Sequence, residues 1–214
     1  MRLLLPRLYV ILDVGRIRGP LEETARCLLN AGVQLLQYRA KSLPAREMLG
    51  AARAVAEIAK HARASLFVND RPDIALLAGA DGVHVGQNDM NVAEARSVIG
   101  PERWVGVSTH NREQFEKAVL TSADYIAVGP IFPTTSKAEP DPVVGTELLR
   151  QMRGKTERPI VAIGGIRLEH AAEVIEAGAD SVAVISGILD ARDPAERARE
   201  YIERLEAARP AAGR

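Results

Sequence analysis

Eight times along the chain, a short run of β-branched and aliphatic residues gives way to a longer stretch rich in Ala, Glu, Arg and Leu. This alternation constrains the fold more than any single motif. Strands are predicted at Leu8–Leu12, Gln34–Arg39, Ser65–Asn69, Gly82–Val85, Trp104–Ser108, Tyr125–Val128, Ile160–Ile163 and Ser181–Ile185. Helical patterns lie between them, near Leu21–Asn30, Ala45–Lys60, Pro72–Ala78, Val92–Ile99, Arg112–Leu120, Thr146–Arg153, Leu168–Glu176 and Pro194–Ala207. Several strands, Ile160–Ile163 among them, are apolar at every position, so both of their faces are covered. That is the property of a parallel sheet flanked by helices. Eight units in 214 residues leave about 27 residues each, short but adequate for a strand and its helix. The prediction is an α/β chain folded as a single-domain (β/α)8 TIM barrel over residues 1–208, with a frayed tail at 209–214. An open doubly wound sheet is the alternative. Its glycine-rich first turn is missing, because Asp13-Val14-Gly15-Arg16 holds no GxGxxG.

A weak internal repeat supports the barrel. Ala78-Gly79-Ala80-Asp81-Gly82-Val83-His84-Val85 resembles Ala177-Gly178-Ala179-Asp180-Ser181-Val182-Ala183-Val184, and Ser122 to Val128 is a looser third copy. Each copy fits one device: a helix ends at a small or left-handed residue, a tight turn follows, and a buried strand begins. The one long irregular stretch, Gly129 to Gly145, carries four prolines and reads as a functional lid.

Composition narrows the function classes. Lys and Arg number 28, as do Asp and Glu, so the formal net charge is zero. A neutral chain lacks the basic field that nonspecific nucleic-acid binding needs, although a local cationic pocket for a small anion remains allowed. No apolar stretch approaches the ~20 residues of a membrane span. Pro6 and Arg7 interrupt the apolar start and Asp13 ends it, so no signal peptide is expected. The single cysteine, Cys27, forms no intrachain disulfide, fits a cytoplasmic protein, and reads as a small buried residue on the first helix. Neutral charge and exposed helices are compatible with a homodimer.

In a barrel the active site lies at the C-terminal ends of the strands. Those ends carry Gln37, Arg39 and Lys41; Asn69 and Asp70; Gln87 and Asp89; Ser108, Thr109 and His110; and Thr134, Thr135, Ser136 and Lys137. Strands seven and eight end in Gly164-Gly165 and Ser186-Gly187. Arg39, Lys41 and Lys137, with hydroxyls and backbone N–H groups around them, make an anion site, most simply for phosphate. Asp70 and Asp89 beside phosphate suit Mg2+, which takes one or two carboxylates plus phosphate oxygens and water. The turns after strands seven and eight match the phosphate cradle of such barrels. Two phosphate subsites, one with metal, describe a two-substrate pocket.

Each residue also has a plainer reading. Asp70 could cap the helix that opens at Pro72, and Asp89 could serve the turn before Val92. Arg39 and Lys41 could be solvated surface charges, and Gly164-Gly165 a tight turn. His61 and His170 read as surface helix residues and His84 as a strand histidine with a satisfied hydrogen bond. His110, beside the rim, is the candidate acid/base. The functional case rests on their convergence at one end of the barrel.

The chain resembles thiamine phosphate synthases over nearly its whole length. The resemblance is carried by Gln37-Tyr38-Arg39-Ala40-Lys41, Asn69-Asp70-Arg71, Gly79 through Asp89, Gly106 through His110, Asp124 through Thr134, Ala162 through Ile166, and Val182 through Ser186, in that order and spacing. It implies an enzyme of the alkyl-transferase type that joins hydroxymethylpyrimidine diphosphate to hydroxyethylthiazole phosphate and releases pyrophosphate. By the same resemblance Asp70 and Asp89 hold Mg2+. Arg39, Lys41, Asn69 and Lys137 hold the diphosphate, and Gln37 and Ser108 lie near the pyrimidine. Tyr38, Ala40 and Thr135 join the substrate-binding set. Thr134, Ser136, Gly165, Ile185 and Ser186 take the thiazole phosphate. The catalytic residues so implied are Arg39, Lys41, Ser108 and Lys137.

Ala40 and Asn88 stand where the family usually has Glu, Ser136 where it has Thr, and Ala138-Glu139-Pro140-Asp141 is atypical. The nearest rival is the related thiazole tautomerase, which uses a histidine at the position of His110. Such proteins tend to lose the aspartates and cations that this chain keeps. A Schiff-base aldolase needs a buried strand lysine, and none of the eight strand cores contains Lys. A non-catalytic binder of thiamine precursors would have little use for two metal-type aspartates.

Overall fold

In the computed structural model, which describes residues 5–134 and 141–209, eight parallel strands close on themselves in sequence order. The first half runs β1 (Leu8–Asp13), α1 (Leu21–Asn30), β2 (Leu35–Arg39), α2 (Ala45–His61), β3 (Ser65–Asn69), α3 (Pro72–Ala78), β4 (Gly82–Val85) and α4 (Val92–Ile99). The second runs β5 (Trp104–Thr109), α5 (Arg112–Val119), β6 (Tyr125–Val128), α6 (Gly145–Arg153), β7 (Ile160–Ile163), α7 (Ala171–Glu176), β8 (Ser181–Val184), α8 (Ser186–Leu189) and α9 (Pro194–Ala207). The (β/α)8 expectation holds. The four-residue helix α8 was not foreseen, since one turn of Ser-Gly-Ile-Leu carries no periodicity to read.

Strand alternation divides the apolar residues into two cores. Tyr9, Ile11, Leu35, Phe67, Tyr125, Ala127, Val161 and Ala183 point into the barrel. Their neighbours, such as Val10, Leu36, Val68 and Val182, face the helices. Three rings fill the interior edge to face, with centroids 6.0 Å (Tyr9–Phe67), 6.2 Å (Tyr9–Tyr125) and 5.6 Å (Phe67–Tyr125) apart. Glycines on the adjoining strands make room for them. A Cβ on Gly82 would come 2.5 Å from the Phe67 ring, and one on Gly106 would run into the Tyr125 ring.

The internal repeat has a physical cause at the opposite, N-terminal face. Asp81 accepts the Leu66 N–H at 2.8 Å, Asp124 the Val105 N–H at 2.7 Å, and Asp180 the Ile160 N–H at 2.8 Å. Each aspartate also donates its own N–H back to the same residue's carbonyl. Three carboxylates thus staple β3 to β4, β5 to β6 and β7 to β8. Arg96 pairs with Asp124 at 2.5 Å and Arg153 with Asp180 at 2.6 Å. Gly79 and Gly178, one residue past α3 and two past α7, have φ of +74° and +113°, the left-handed exits that the repeat implied.

Two expectations fail here. Cys27 is exposed, because α1 buries Ala25, Leu28 and Leu29 and position 27 lies on the other side of that helix. His170 is not a surface side chain. It is half-buried, stacked on Phe132 with centroids 4.5 Å apart. The tail residues 210–214 lie outside the described residues, as do Thr135, Ser136 and Lys137. No described helix is long and apolar enough to cross a membrane.

Candidate active site

At the C-terminal ends of the strands the barrel opens into a pocket of about 950 Å3, counting the space open to solvent at its mouth. The apolar wall is Ile11, Ala127, Val161, Ile163, Ala183 and Ile185. Gln37, Arg39, Asn69, Ser108, Thr134, Gly165 and Ser186, all singled out in the sequence, line the same cavity.

Arg39 is not a solvated surface charge. It extends inward from β2 and pairs with Asp13 on β1, with 16% of its side chain exposed. Asp13 also accepts the Gly15 N–H at 3.1 Å. In the sequence Asp13 marks only the end of an apolar run, and nothing local to it signals this partner.

A second charged cluster sits on the rim. Asp70 does not cap α3, whose N-cap is Arg71 with no side-chain bond. Its backbone is left-handed, φ +63°, a conformation shared among described non-glycine residues only with Arg63. In that pose the Asp70 carboxylate pairs with the Lys41 ammonium. Pro72 at the first turn of α3 sets where the helix starts after this bend. Asp89 accepts the Gly86 N–H at 2.8 Å, closing the turn after β4, while the capping of α4 falls to Asn91 and Glu94. Burial pushes the Asp89 carboxyl up, and its hydrogen bond with the adjacent Asp70 raises it further. Two carboxyls held against each other form a donor pair for a hard cation. Among the described residues no group of three or more His, Cys, Asp or Glu gathers as a metal centre.

The opposite wall is built from glycines. Gly164 and Gly165 have φ of +96° and +65°. A Cβ on Gly165 would lie 2.7 Å from the Phe132 carbonyl oxygen, because residues after β6 run alongside β7. The Ile131 N–H bonds the Ile163 carbonyl and the Phe132 N–H that of Gly164, both at 2.9 Å. Ser186 and Gly187, at the start of α8, face the same side of the pocket.

Some sequence-selected residues lie elsewhere. The Tyr38 side chain points away from the lumen into the helix-facing core, where burial pushes its phenol up to about 12. Ala40 packs against that same outer core. His110 lines the pocket with Nδ1 2.6 Å from the Gly129 carbonyl oxygen and Nε2 3.5 Å from the Asp141 carboxylate. A carbonyl only accepts, so the proton of this bond belongs to Nδ1. His84, expected as a satisfied strand histidine, is one: its nitrogens lie 2.8 Å from Tyr125 Oη and 2.8 Å from Ser108 Oγ. It also lines the pocket, as does Tyr9. Alternation along β1 and β4 was the signal that could have found both.

Known proteins resemble this chain over most of its length. The family model described as thiamine monophosphate synthase matches residues 8–188. The chain is 50% identical over 207 residues to a thiamine-phosphate synthase of Koribacter versatilis, covering 94% of this chain and 96% of that one. It is 43% identical to one of Moorella thermoacetica, covering 94% and 97%. A solved thiamine phosphate pyrophosphorylase from Pyrococcus furiosus superposes with a TM-score of 0.87 at 36% identity, over 94% of this chain and 96% of that one. The chain belongs to the thiamine monophosphate synthase family.

Proposed function

We propose that the protein joins 4-amino-2-methyl-5-hydroxymethylpyrimidine diphosphate to 4-methyl-5-(2-hydroxyethyl)thiazole phosphate, giving thiamine phosphate and pyrophosphate. The observation that carries this reading is one cavity with two unlike polar ends. Arg39, Asn69 and the adjoining Lys41–Asp70–Asp89 cluster lie at one end, and Gly165 and Ser186 at the other.

Arg39, Lys41, Asn69 and Lys137 are assigned to the diphosphate, with Asp70 and Asp89 as the residues that would hold Mg2+. Bound there, Mg2+ would neutralise the charge that gathers on the departing pyrophosphate. Thr134, Ser136, Gly165, Ile185 and Ser186 are assigned to the thiazole phosphate, and Gln37 and Ser108 to the pyrimidine. The bond from the pyrimidine methylene to oxygen breaks, and its electron pair leaves with pyrophosphate. The ring amino group delocalises the resulting cation, and the thiazole nitrogen lone pair closes the new C–N bond. No covalent nucleophile is required. The chain's task is to clamp charge, align two rings and exclude water, and the apolar wall of Ile11, Val161, Ile163 and Ile185 serves the last of these. The proposed site of action is the cytoplasm, where an exposed thiol such as Cys27 stays reduced.

The test is to incubate the purified protein with both substrates and Mg2+ and follow thiamine phosphate and pyrophosphate together. Equal amounts of the two, abolished by chelation and restored by Mg2+, are expected. Isomerisation of a thiazole phosphate carboxylate with no pyrophosphate would overturn the reading in favour of a tautomerase acting through His110.

A further inference from the structure

Five polar side chains cross the floor of the pocket in a continuous file. Gln37 Nε2 donates to the Tyr9 hydroxyl at 2.8 Å, and that hydroxyl lies 3.2 Å from the Tyr125 hydroxyl. The Tyr125 hydroxyl is 2.8 Å from His84 Nδ1, and His84 Nε2 is 2.8 Å from Ser108 Oγ. Burial pushes both phenols upward, so each keeps its single proton at working pH.

One order of protons lets every member of the file use its polar atoms. Tyr9 accepts from Gln37, so its own proton goes to Tyr125. In this order the Tyr125 proton goes to His84 Nδ1, and the imidazole proton on Nε2 goes to Ser108 Oγ. Ser108 accepts this bond and keeps its hydroxyl proton for the pocket. At the other end, with its nitrogen committed to Tyr9, Gln37 keeps Oε1 as an acceptor. Both end residues line the cavity.

We infer that this file is a polarity lock. Tyr9, Tyr125 and His84 act as positioning residues that make the pocket present an acceptor at Gln37 and a donor at Ser108. The lock selects an aminopyrimidine over its oxo counterpart. The inference rests on the pyrimidine assignment made above. An amino group beside a ring nitrogen offers a donor next to an acceptor, the complement of the two end groups. The oxo compound offers a carbonyl next to an N–H, the reverse order. Accommodating it requires Gln37 to flip and every proton in the file to reverse, or leaves mismatched polar groups facing each other out of water.

The test uses 4-amino-2-methyl-5-hydroxymethylpyrimidine diphosphate and its 4-oxo analogue, each titrated calorimetrically in Mg2+ without the thiazole phosphate. Wild type should bind the amino compound at least about 100-fold more tightly. Tyr125→Phe keeps the ring but breaks the file, and the ratio should fall to about 10 or less. The KM for thiazole phosphate should stay near wild type. His84→Gln, which can still accept from Tyr125 and donate to Ser108, should keep most of the preference, whereas His84→Leu should lose it. If either Tyr125→Phe or His84→Leu fails to fold, Tyr9→Phe cuts the same file one link earlier. An unchanged ratio in the folded variants, or no preference in wild type, overturns the lock. Failure of the synthase reading would show separately, as no thiamine phosphate formed while the binding ratio still responds to these variants.

Discussion

Asp13 and Arg39 are register partners across β1 and β2, and their side chains form an ion pair at the pocket wall. One oxygen of Asp13 holds the guanidinium and the other holds the Gly15 N–H. The pair therefore fixes where Arg39 points before any diphosphate arrives. Asp13→Ala leaves the guanidinium largely buried and without its partner. We expect a stability loss of about 3 kcal/mol by urea unfolding. A fall in kcat/KM of about 10- to 100-fold for the pyrimidine diphosphate should accompany it, with the KM for thiazole phosphate little changed. Equal loss of affinity for both substrates would show a global rather than a positional effect.

Asp89 is predicted to cost the fold stability. Its carboxyl is raised by burial and by Asp70, so the folded chain binds that proton more tightly than the unfolded chain does. Ionised Asp89 therefore subtracts from stability at neutral pH, and the cost disappears as pH falls through the raised value to below the ordinary aspartate range near ~3.9. Asp89→Asn removes the charge while still accepting the Gly86 N–H. In chelator at pH 7 this variant should melt about 1–3 °C above wild type, with the gap closing in acid, and its turnover should no longer respond to Mg2+. A lower melting temperature at pH 7 would contradict the assignment.

Asp180→Ala should do the opposite, damaging the fold and sparing the chemistry. It takes the carboxylate away from the Ile160 N–H and from the Arg153 guanidinium, which keeps its bonds to the Thr156 and Arg158 carbonyls, at the face remote from the pocket. A loss of about 2–3 kcal/mol is expected in urea unfolding, with kcat at 25 °C within about two-fold of wild type.

Gly165→Ala should act at the other end of the cavity. Its φ of +65° and the nearby Phe132 carbonyl leave no place for a methyl group. The KM for thiazole phosphate should rise about 10-fold or more, with the dissociation constant of the pyrimidine diphosphate unchanged.

Much of this was legible in the sequence, and the exceptions share a cause. Alternation between apolar runs and helical stretches yields the barrel, and Gly79, Gly178 and Pro72 mark helix ends through backbone preferences that act locally. Arg39, Asn69, Asp70 and Ser186 fall at strand ends, which is enough to bring them near one another. Tyr9 and Tyr125 carry no local mark of their role, and His84 shows only that its bonds are satisfied, because the partner of each lies across the lumen, a property of register between strands. Cys27 was misplaced by a single helical position, since on α1 one residue changes the direction of a side chain by about 100°. His170 was misread because Phe132, which covers it, comes from a segment distant in sequence.

The three aspartate staples divide the molecule as well as hold it. A chain cut at the Gly100–Pro101 turn would leave the Asp81 staple whole in one piece and the Asp124 and Asp180 staples whole in the other. The first piece would carry Arg39, Lys41, Asn69, Asp70 and Asp89, and the second Ser108, Thr134, Gly165 and Ser186. Each half-barrel would thus keep its own carboxylate staples and half of the proposed chemistry, with the Arg96–Asp124 ion pair bridging the cut, so that catalysis becomes a direct report of whether two separately made fragments have found each other.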